Sequence, residues 1–427
     1  MREKSKRTLT PKLRFPEFRD KPGWEDVPLE QIAMRVTTKN LDGSIARVLT
    51  NSAEHGIVDQ RDYFEKDIAN AGNIDRYYIV DFGDFVYNPR ISTLAPAGPI
   101  SRNNIGKGVM SPLYTVFRFT DENTDFYQQY FKTVSWHQYL RQVSSMGARH
   151  DRMSITTGDF MTMPIPKPLP QEQQKIAECL DSLDVLITAE GRKLEALNNH
   201  KKGLMQQLFP QPGETQPRLR FPEFRDEGEW ELWPLSKLAH EISDGDWIES
   251  KDQSENGVRL IQTGNIGEGV FIDKIINARF ISEDTFERLR CKEVRPGDCL
   301  ISRLPNPIGR ACIVPDIGSK MITAVDCTIV RFHYDRIVPY MFIVSSQRQA
   351  YYRDVESLSS GSTRKRISRT KLEQVELLLP RIPEQQRIAD CLIALDTRIA
   401  KQTEKIDALK AQKHGLMQQL FPAPEAQ

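Results

Sequence analysis

The residues of this chain best suited to binding chemistry form a basic run at 361–371, with five Lys or Arg residues and no acid. A shorter counterpart at 147–154 carries Arg149, His150 and Arg152. Arginine side chains, together with the backbone amides of loops rich in glycine and small hydroxyl residues, bind phosphate oxygens. A plain solvated loop is the alternative interpretation. The recurrence of the run at matched positions in two halves of the chain favours phosphate binding.

Other polar side chains have the types that read the edges of base pairs. Arginine donates two hydrogen bonds to guanine, and asparagine pairs in the same way with adenine. With the basic runs they form the predicted set of DNA-binding residues. The set is Tyr87, Asn88, Arg90, Arg102, Lys107, Arg149, His150 and Arg152 in the first half, and Arg303, Asn306, Arg310, Arg364, Lys365, Arg366 and Arg369 in the second.

Motifs for catalysis are nearly absent from the sequence. It contains no G-x4-G-K-[ST] loop for nucleotide phosphates, no HExxH pair and no CxxC pair. The glycine cluster at 264–269 has the wrong order for a dinucleotide loop and indicates a turn instead. Residues 88–90 match only the Asn-Pro of an amino-methyltransferase N-P-P-aromatic motif. The sequence therefore predicts no catalytic residue, no metal site and no cofactor bound by this chain.

One acidic stretch resembles the start of a calcium loop. Asp244 could open such a loop, and Glu255 stands where its closing carboxylate would be. However, Ile248 replaces an oxygen ligand, and Glu249 replaces the glycine that makes the sharp turn. The stretch favours a tight turn anchored by Trp247 over a calcium site.

The composition limits the class of protein. The chain has 427 residues with 59 Lys or Arg against 58 Asp or Glu, a formal charge of +1, and 39% hydrophobic residues. Near neutrality excludes a protein that coats nucleic acid through bulk positive charge, but it does not exclude local basic patches. The N-terminus lacks an apolar leader, no run is long enough to span a membrane, and the six cysteines are scattered. We expect a cytoplasmic protein with reduced thiols.

The elements that must position these residues come from an internal duplication. Three segments of the first half recur in the second, offset by 206 or 212 residues. The pairs are 11–20 with 217–226, 172–180 with 384–392, and 203–210 with 415–422. Matches of this length do not arise by chance, so the chain is built from two copies of one unit.

Between these segments the copies diverge, but a skeleton remains. The strand-like runs 83–87 and 297–301 align, as do 114–119 and 327–332. Ser154 aligns with Ser368 behind the basic loops. We expect each copy to be an α/β unit of about 150 residues with its own loops, followed by a long helix.

Both helices carry a 4-3 apolar stripe, which predicts a coiled-coil seam. Polar residues interrupt the stripe at equivalent places, Glu190 and Lys201 in one helix and Gln402 and Lys413 in the other. An ordinary buried helix is the alternative. The predicted seam consists of Ile176, Leu180, Leu183, Ile187, Leu194, Leu197, Leu204, Leu208, Ile388, Leu392, Leu395, Ile399, Ile406, Leu409, Leu416 and Leu420.

Each stripe needs a partner, and the nearest is the duplicate helix. The linker at 211–216 is short, which favours an antiparallel pair related by a pseudo-twofold axis. The same symmetry places the arm at 13–18 beside the end of the second helix, as the arm at 219–224 lies beside the end of the first. The sequence therefore predicts a quasi-circular arrangement.

Four features of the sequence occur together in one known family: the duplicated RFPEF arms, the EQQ(K/R)IA helices, the GLMQQLFP ends and the GSTRKRIS loop. With them, the chain resembles the specificity subunit of type I restriction–modification systems. The resemblance covers essentially the whole chain. It implies two α/β (α+β) target recognition domains, two pseudo-twofold-related copies joined and spaced by two long antiparallel coiled-coil helices. It also implies a non-catalytic subunit, with S-adenosylmethionine, ATP and Mg²⁺ bound by partner subunits.

In that family each recognition domain reads one half of a split, asymmetric double-stranded DNA target. The implied partners are two modification (methyltransferase) subunits and, through them, restriction (ATP-dependent translocase and nuclease) subunits. The alternatives are a structural coiled-coil scaffold with protein-binding heads and a stand-alone DNA-modifying enzyme. The predicted division is an arm at 1–20, recognition domain at 21–168, helix at 169–210, linker and second arm at 211–226, recognition domain at 227–381, helix at 382–422 and tail at 423–427.

Overall fold

The computed structural model describes residues 8–63, 74–145, 151–361 and 365–422. They form two compact units. The first combines Met1–Arg192 with Thr403–Gln427, and the second is Lys193–Gln402. Each unit therefore holds one globular part together with one segment from each of two long helices.

The first unit is a mixture of short strands and helices. Its strands are β1 (Thr8–Leu9), β2 (Trp24–Pro28), β3 (Ala33–Arg35), β4 (Leu49–Ser52), β5 (Gly56–Asp59), β6 (Tyr78–Val80), β7 (Phe85–Tyr87), β8 (Ile100–Arg102), β9 (Gly108–Met110), β10 (Thr115–Phe119) and β11 (Pro164–Lys167). Its α-helices are α1 (Gln60–Tyr63), α2 (Thr124–Tyr130), α3 (His137–Val143), α4 (Thr157–Met161) and the start of α5 (Pro170–Leu208), with 3-10 turns at Pro16–Phe18, Leu29–Gln31 and Ile74–Arg76.

The second unit repeats this mixture. Its strands are β12 (Glu231–Pro234), β13 (Ala239–Asp244), β14 (Gln253–Ser254), β15 (Val258–Ile261), β16 (Arg279–Ile281), β17 (Glu293–Val294), β18 (Cys299–Ser302), β19 (Ala311–Ile313), β20 (Met321–Thr323), β21 (Cys327–Phe332) and β22 (Glu376–Leu379). Its α-helices are α6 (Leu235–Leu238), α7 (Glu283–Leu289), α8 (Pro339–Ser346), α9 (Gln349–Leu358), α10 (Arg369–Leu372) and the start of α11 (Ile382–Leu420), with 3-10 turns at Pro222–Phe224, Ser250–Asp252 and Thr263–Asn265.

One antiparallel sheet is common to both units. Its order is β3-β10-β7-β8 in the first unit and β13-β21-β18-β19 in the second. The predicted strands at 83–87, 114–119, 297–301 and 327–332 fall in these sheets, which confirms the shared skeleton. The accessory strands differ, since among the described residues the second unit alone has a five-stranded sheet, β14-β16-β15-β20-β17, with one parallel pair. The copies therefore share a platform and differ in what is built beside it.

An ion pair with a buried aspartate explains why the skeleton kept its Gly-Asp and Arg-Phe motifs. Asp84 is fully buried, and its carboxylate accepts from Arg118 Nε at 2.5 Å. In the second unit Asp298 accepts from Arg331 Nε at 2.9 Å. Each pair joins the start of one central strand to the end of its neighbour, so it fixes the pairing at one end of the sheet.

All predicted seam positions of α5 and α11 are buried or half-buried. Both helices are 39 residues long. Of the polar interruptions, Gln402 and Lys413 are 5% and 8% exposed. Burial of a polar or charged side chain costs free energy unless it meets a partner, so these positions must be paired.

Within the first unit the two helix segments run antiparallel. Lys413 Nζ lies 2.5 Å from Asp184 Oδ2, and Lys405 Nζ lies 2.5 Å from Glu190 Oε1. Residue numbers fall along one helix as they rise along the other. Leu420, further along α11, shares an apolar core with residues near the start of α5.

The second unit repeats the arrangement with the roles of the helices exchanged. Lys201 Nζ lies 2.5 Å from Asp396 Oδ1, and both positions are displaced by 212 residues from the Asp184–Lys413 pair. Leu204 and Leu208 pack in one core with the first turns of α11. The antiparallel direction predicted from the sequence is therefore present inside each unit.

The duplicated arms are tied down by a second pair of buried ions. Arg14 donates to both carboxylate oxygens of Glu172, at 2.7 and 2.8 Å, and to the carbonyl oxygens of Lys21 and Pro22. Arg220 makes the same bidentate contact with Glu384, at 2.7 and 2.6 Å. The charges are desolvated but fully hydrogen-bonded, which favours a strong interaction.

The other side of each arm lies against the end of a long helix. Leu13 N donates to Gln419 O at 3.0 Å, and Leu219 N donates to Gln207 O at 3.0 Å. The first arm therefore lies beside the end of α11 and the second beside the end of α5, as the pseudo-symmetry predicted.

Replacing Glu384 with Gln leaves the buried Arg220 guanidinium without its counter-ion. We expect the free energy of unfolding, measured with denaturant, to fall by about 3–5 kcal/mol. Glu223→Gln is the matched control, because Glu223 pairs with Arg387 at the surface, where both side chains are about half exposed; its loss should be about 1 kcal/mol or less. Equal losses in the two variants would contradict this account of the arm.

A circular permutant that joins residue 422 to residue 11 and opens the chain near Glu214 should fold, since Leu13 already contacts Gln419 across the new junction. Circular dichroism and size-exclusion chromatography should give the wild-type helix content and elution volume. The control is an insertion of the same joining peptide after Gly318. If the control folds and the permutant aggregates, the predicted quasi-circular arrangement is contradicted.

Candidate nucleic-acid interface

In the second unit, three predicted arginines meet two aspartates. Arg303 Nη1 lies 3.3 Å from Asp244 Oδ2, and Arg369 Nη1 lies 3.9 Å from the same oxygen. Arg366 Nη2 lies 2.9 Å from Asp326 Oδ1. We call these five residues the arginine edge.

The shared sheet explains why the arginine edge assembles. Asp244 ends β13, Arg303 follows the end of β18, and Asp326 precedes β21. Both neighbouring strands are antiparallel to β21, so their ends lie beside its start. The edge therefore forms at the end of the sheet opposite the Asp298–Arg331 pair.

The basic loop is anchored at its base, and its described cationic side chains are exposed. Ser360 and Arg366 exchange backbone hydrogen bonds of 3.0 and 2.9 Å, and the buried Ile367 donates to Arg303 O at 3.3 Å. Ser368 caps α10, which begins with Arg369. Lys365, Arg366 and Arg369 are exposed; Arg364 lies outside the described residues.

Arg310 and Arg303 are not surface residues, which corrects the prediction that they face DNA directly. Arg310 is 8% exposed and donates to five backbone carbonyls, those of Thr263, Ile266, Leu304, Pro305 and Pro307. Such an arginine clamps two loops together. Asn306 lies exposed at the tip of the clamped loop, with a φ of 83° that asparagine tolerates better than most residues.

Arg303 is 4% exposed and supports the edge from below. Its guanidinium contacts Asp244 and donates to Val325 O, whereas Nε has no hydrogen-bond partner among the described residues. Burial lowers the pKa of Arg303 below its ordinary value, while Asp244 opposes that shift. Arg303 therefore positions the acids of the edge.

The first unit also buries one predicted contact residue. Tyr87 is 2% exposed, stacks on Phe160 and donates its hydroxyl to Ala97 O at 3.1 Å. Burial raises the pKa of that hydroxyl above its ordinary value. Tyr87 is thus a core residue, and the prediction that it contacts DNA is corrected.

Asn88 and Arg90 form a turn directly after β7. Asn88 donates to Asn51 O at 2.9 Å and accepts from Arg90 N at 3.0 Å, so its amide is engaged within the protein. The Arg102 side chain is only 15% exposed and forms an ion pair with Asp125. Lys107 is exposed, and its Nζ lies 3.7 Å from Asp81 Oδ1. Of this group, Arg90 and Lys107 are open to solvent.

Arg90 also meets the basic loop of the first unit. Arg90 and Arg152 form an isolated antiparallel bridge, and their Nε atoms lie 3.9 and 3.8 Å from Asp151 Oδ2. Arg149 and His150 lie outside the described residues. Both units therefore place loop arginines around an aspartate.

Helix capping corrects the alignment of the two basic loops. Thr156 caps α4 by accepting from Asp159 N, and Ser368 caps α10 by accepting from Lys371 N. Thr156, rather than Ser154, is therefore the counterpart of Ser368. The 212-residue offset of the long helices holds here as well, and it makes Arg152 the counterpart of Arg364.

The acids of the arginine edge, and Asp151 in the first unit, were missed because the sequence criteria covered only cations and amides. Asp244 does not open a calcium loop, since its oxygens accept from Thr328 and contact Arg303. Trp247 is 71% exposed, so it does not anchor the turn. A search for acids next to the ends of the shared strands would have found Asp244 and Asp326.

Within the described residues, no group of three His, Cys, Asp or Glu side chains could hold a metal ion. All six cysteines are free thiols, four of them buried. The described helices include none that is both long and apolar enough to cross a bilayer.

Comparison with known proteins gives consistent matches. The family model for the type I restriction modification DNA specificity domain matches residues 62–199 and again 227–411. The type I restriction enzyme MjaVIII specificity subunit of Methanocaldococcus jannaschii is 25% identical over 315 residues, 72% of each chain.

Two solved structures share the fold. A type I restriction–modification S subunit from M. genitalium superposes with a TM-score of 0.57 at 12% identity, covering 97% of this chain and 99% of that one. A chain from a study of complex assembly and conformational transition in a type I system gives 0.53 at 18% identity, covering 95% and 99%.

Proposed function

Because this chain belongs to the family of type I restriction–modification DNA specificity domains, we propose that each unit reads one half of a split double-stranded DNA target. The observation that carries the proposal is the duplicated sheet end, where loop arginines gather in both units. The shared platform holds the loops in the same place, and the different loops specify different bases.

The exposed side chains divide by chemistry into two roles. Arg366, Arg369 and Lys365 stand at the tip and base of a loop, where they neutralise phosphates and fix the position of the duplex. Asn306 and the loop it belongs to differ between the units, so they are candidates for base contacts. Specificity then arises from the loops, whereas affinity arises from the arginines.

The long helices supply the second part of the proposal. A helix of 39 residues is about 58 Å long, comparable to one or two turns of DNA. We propose that α5 and α11 form a coiled-coil spacer that sets the number of unread base pairs between the half-sites. Their outer faces carry mixed charges, suited to docking two modification subunits and, through them, restriction subunits.

In this proposal the chain itself is not an enzyme. Methyl transfer from S-adenosylmethionine and ATP-driven steps that require Mg²⁺ belong to the partner subunits. Purified chain that methylated or cut DNA alone would favour the stand-alone enzyme, and an assembly that ignored DNA sequence would favour the scaffold.

Arg366→Ala with Arg369→Ala should weaken binding of the chain, assembled with its modification subunits, to its target duplex. If both side chains contact phosphates, the slope of log K against log salt should fall by about one unit per lost contact, measured by titration at several salt concentrations. Arg381→Ala is the control, because that side chain is exposed but lies at the start of α11. An unchanged slope would count against the loop.

Inserting four residues into the middle of one long helix adds about 6 Å to it. We expect the gap between the half-sites to grow by about one or two base pairs, at 3.4 Å each, with both half-sites unchanged in methylation mapping. The same insertion after the exposed Gly318 should leave the gap as it was. A changed half-site with an unchanged gap would refute the spacer.

A further inference from the structure

The described loop arginines of the two units lie beside carboxylates, Arg366, Arg369 and Arg90 being exposed and Arg152 half-buried. Arg366 is held by Asp326 at 2.9 Å, Arg369 lies 3.9 Å from Asp244, and Arg90 and Arg152 flank Asp151. If this surface served only to attract DNA, its cations would bind best without acidic neighbours, because every acid beside them repels phosphate. The presence of acids beside these arginines therefore needs a separate explanation.

The structural role of Asp326 is carried by its backbone. Its carbonyl oxygen accepts from Arg303 N at 2.9 Å, which fixes the loop that follows β18. Its carboxylate instead faces Arg366, and the two side chains are 32% and 44% exposed. An ion pair this exposed adds little to stability, so stability does not explain why the acid is there.

The exposed Asp326–Arg366 pair allows the arginine to exchange its aspartate for another acceptor. Water screens it, so the arginine can leave the aspartate at small cost. A phosphate or a guanine edge that presents two acceptors in the right place binds a guanidinium better than the single aspartate oxygen seen here. A duplex in the wrong register offers poorer acceptors and still meets the repulsion of the acid.

We propose that Asp326, and Asp151 in the first unit, are specificity-determining residues that hold the DNA-facing arginines until a matching target replaces them. This proposal rests on the proposed function and adds a repulsive element to DNA recognition. Discrimination is a difference of two affinities, and an acid beside each arginine lowers affinity for non-target DNA more than affinity for target DNA.

Asp244 differs from these two acids. It also accepts from Thr328 and contacts the buried Arg303. Removing its charge would disturb the support of the edge, so it is a poor test residue. Asp326 is the better test residue, since its charge acts less on the buried Arg303 than that of Asp244 does, and its backbone contact remains when the carboxylate is changed.

The test is Asp326→Asn in the full chain assembled with its modification subunits. Binding is measured to the target duplex and to a duplex of equal length without the target, over a range of salt. We expect affinity for non-target DNA to rise about two- to fivefold, the scale of one exposed ion pair, with a smaller change for the target. The salt slope for non-target DNA should steepen by about one unit as Arg366 becomes available.

Asp335→Asn is the matched control. It removes the same charge from beside the same strand, but Asp335 follows the opposite end of β21 and its side chain is 78% exposed. Asp326→Glu should restore the wild-type discrimination, because it keeps the charge. Thermal unfolding of each variant checks that the fold is intact.

The outcomes separate the two proposals. A wild-type assembly that fails to distinguish target from non-target DNA overturns the proposed function itself. A wild-type assembly that discriminates, with Asp326→Asn keeping the same ratio of affinities or with Asp335→Asn matching its gain, overturns the role of Asp326 alone. A variant that binds both duplexes more weakly at unchanged thermal stability also overturns it.

Discussion

The architecture of each unit depends on one buried contact, the arginine of an arm held bidentately by the first-turn glutamate of a long helix. Arg14 on Glu172 and Arg220 on Glu384 fix where each arm lies. The same arms contact the end of the other helix, so the contact links the start of one helix to the end of its neighbour. The antiparallel register follows, and the Lys–Asp pairs further along the seam agree with it. Such a charge pair specifies one geometry, because a shift by one turn would leave ions buried without partners.

The two ends of the shared sheet carry Asp–Arg pairs in different surroundings. At one end an Asp–Arg pair with a buried aspartate, Asp84 with Arg118 or Asp298 with Arg331, fixes the strand pairing in both units. At the other end the same two residue types meet near the surface, where the pairs are exposed and exchangeable. Burial of the aspartate changes the role of the pair, because a desolvated carboxylate resists separation from its arginine and a hydrated one does not.

Much of this could be predicted from the sequence, and the failures have physical causes. Duplication, strand periodicity and the 4-3 stripe are properties of many residues, so they predicted the sheets and the helix seam well. Tyr87 and Arg310 were misassigned because residue type does not report which way a side chain points, and both point inward. The acids of the arginine edge were missed because they meet their partners only when β13, β18 and β21 come together. The capping threonine Thr156 showed that even the alignment of the basic loops needed backbone geometry.

The duplication places two of the cysteines at equivalent positions that suit spectroscopic labelling. Cys291, Cys299, Cys312 and Cys327 are buried, and burial raises the pKa of each thiol, that of Cys291 to about 11. Thiols of this kind react slowly, because the thiolate is the reactive form. Cys179 and Cys391 are half-buried and occupy equivalent positions on α5 and α11, 212 residues apart. The unmodified chain therefore already contains a matched pair of labelling sites, one in each unit, at which two probes would report the distance between the units as DNA or partner subunits bind.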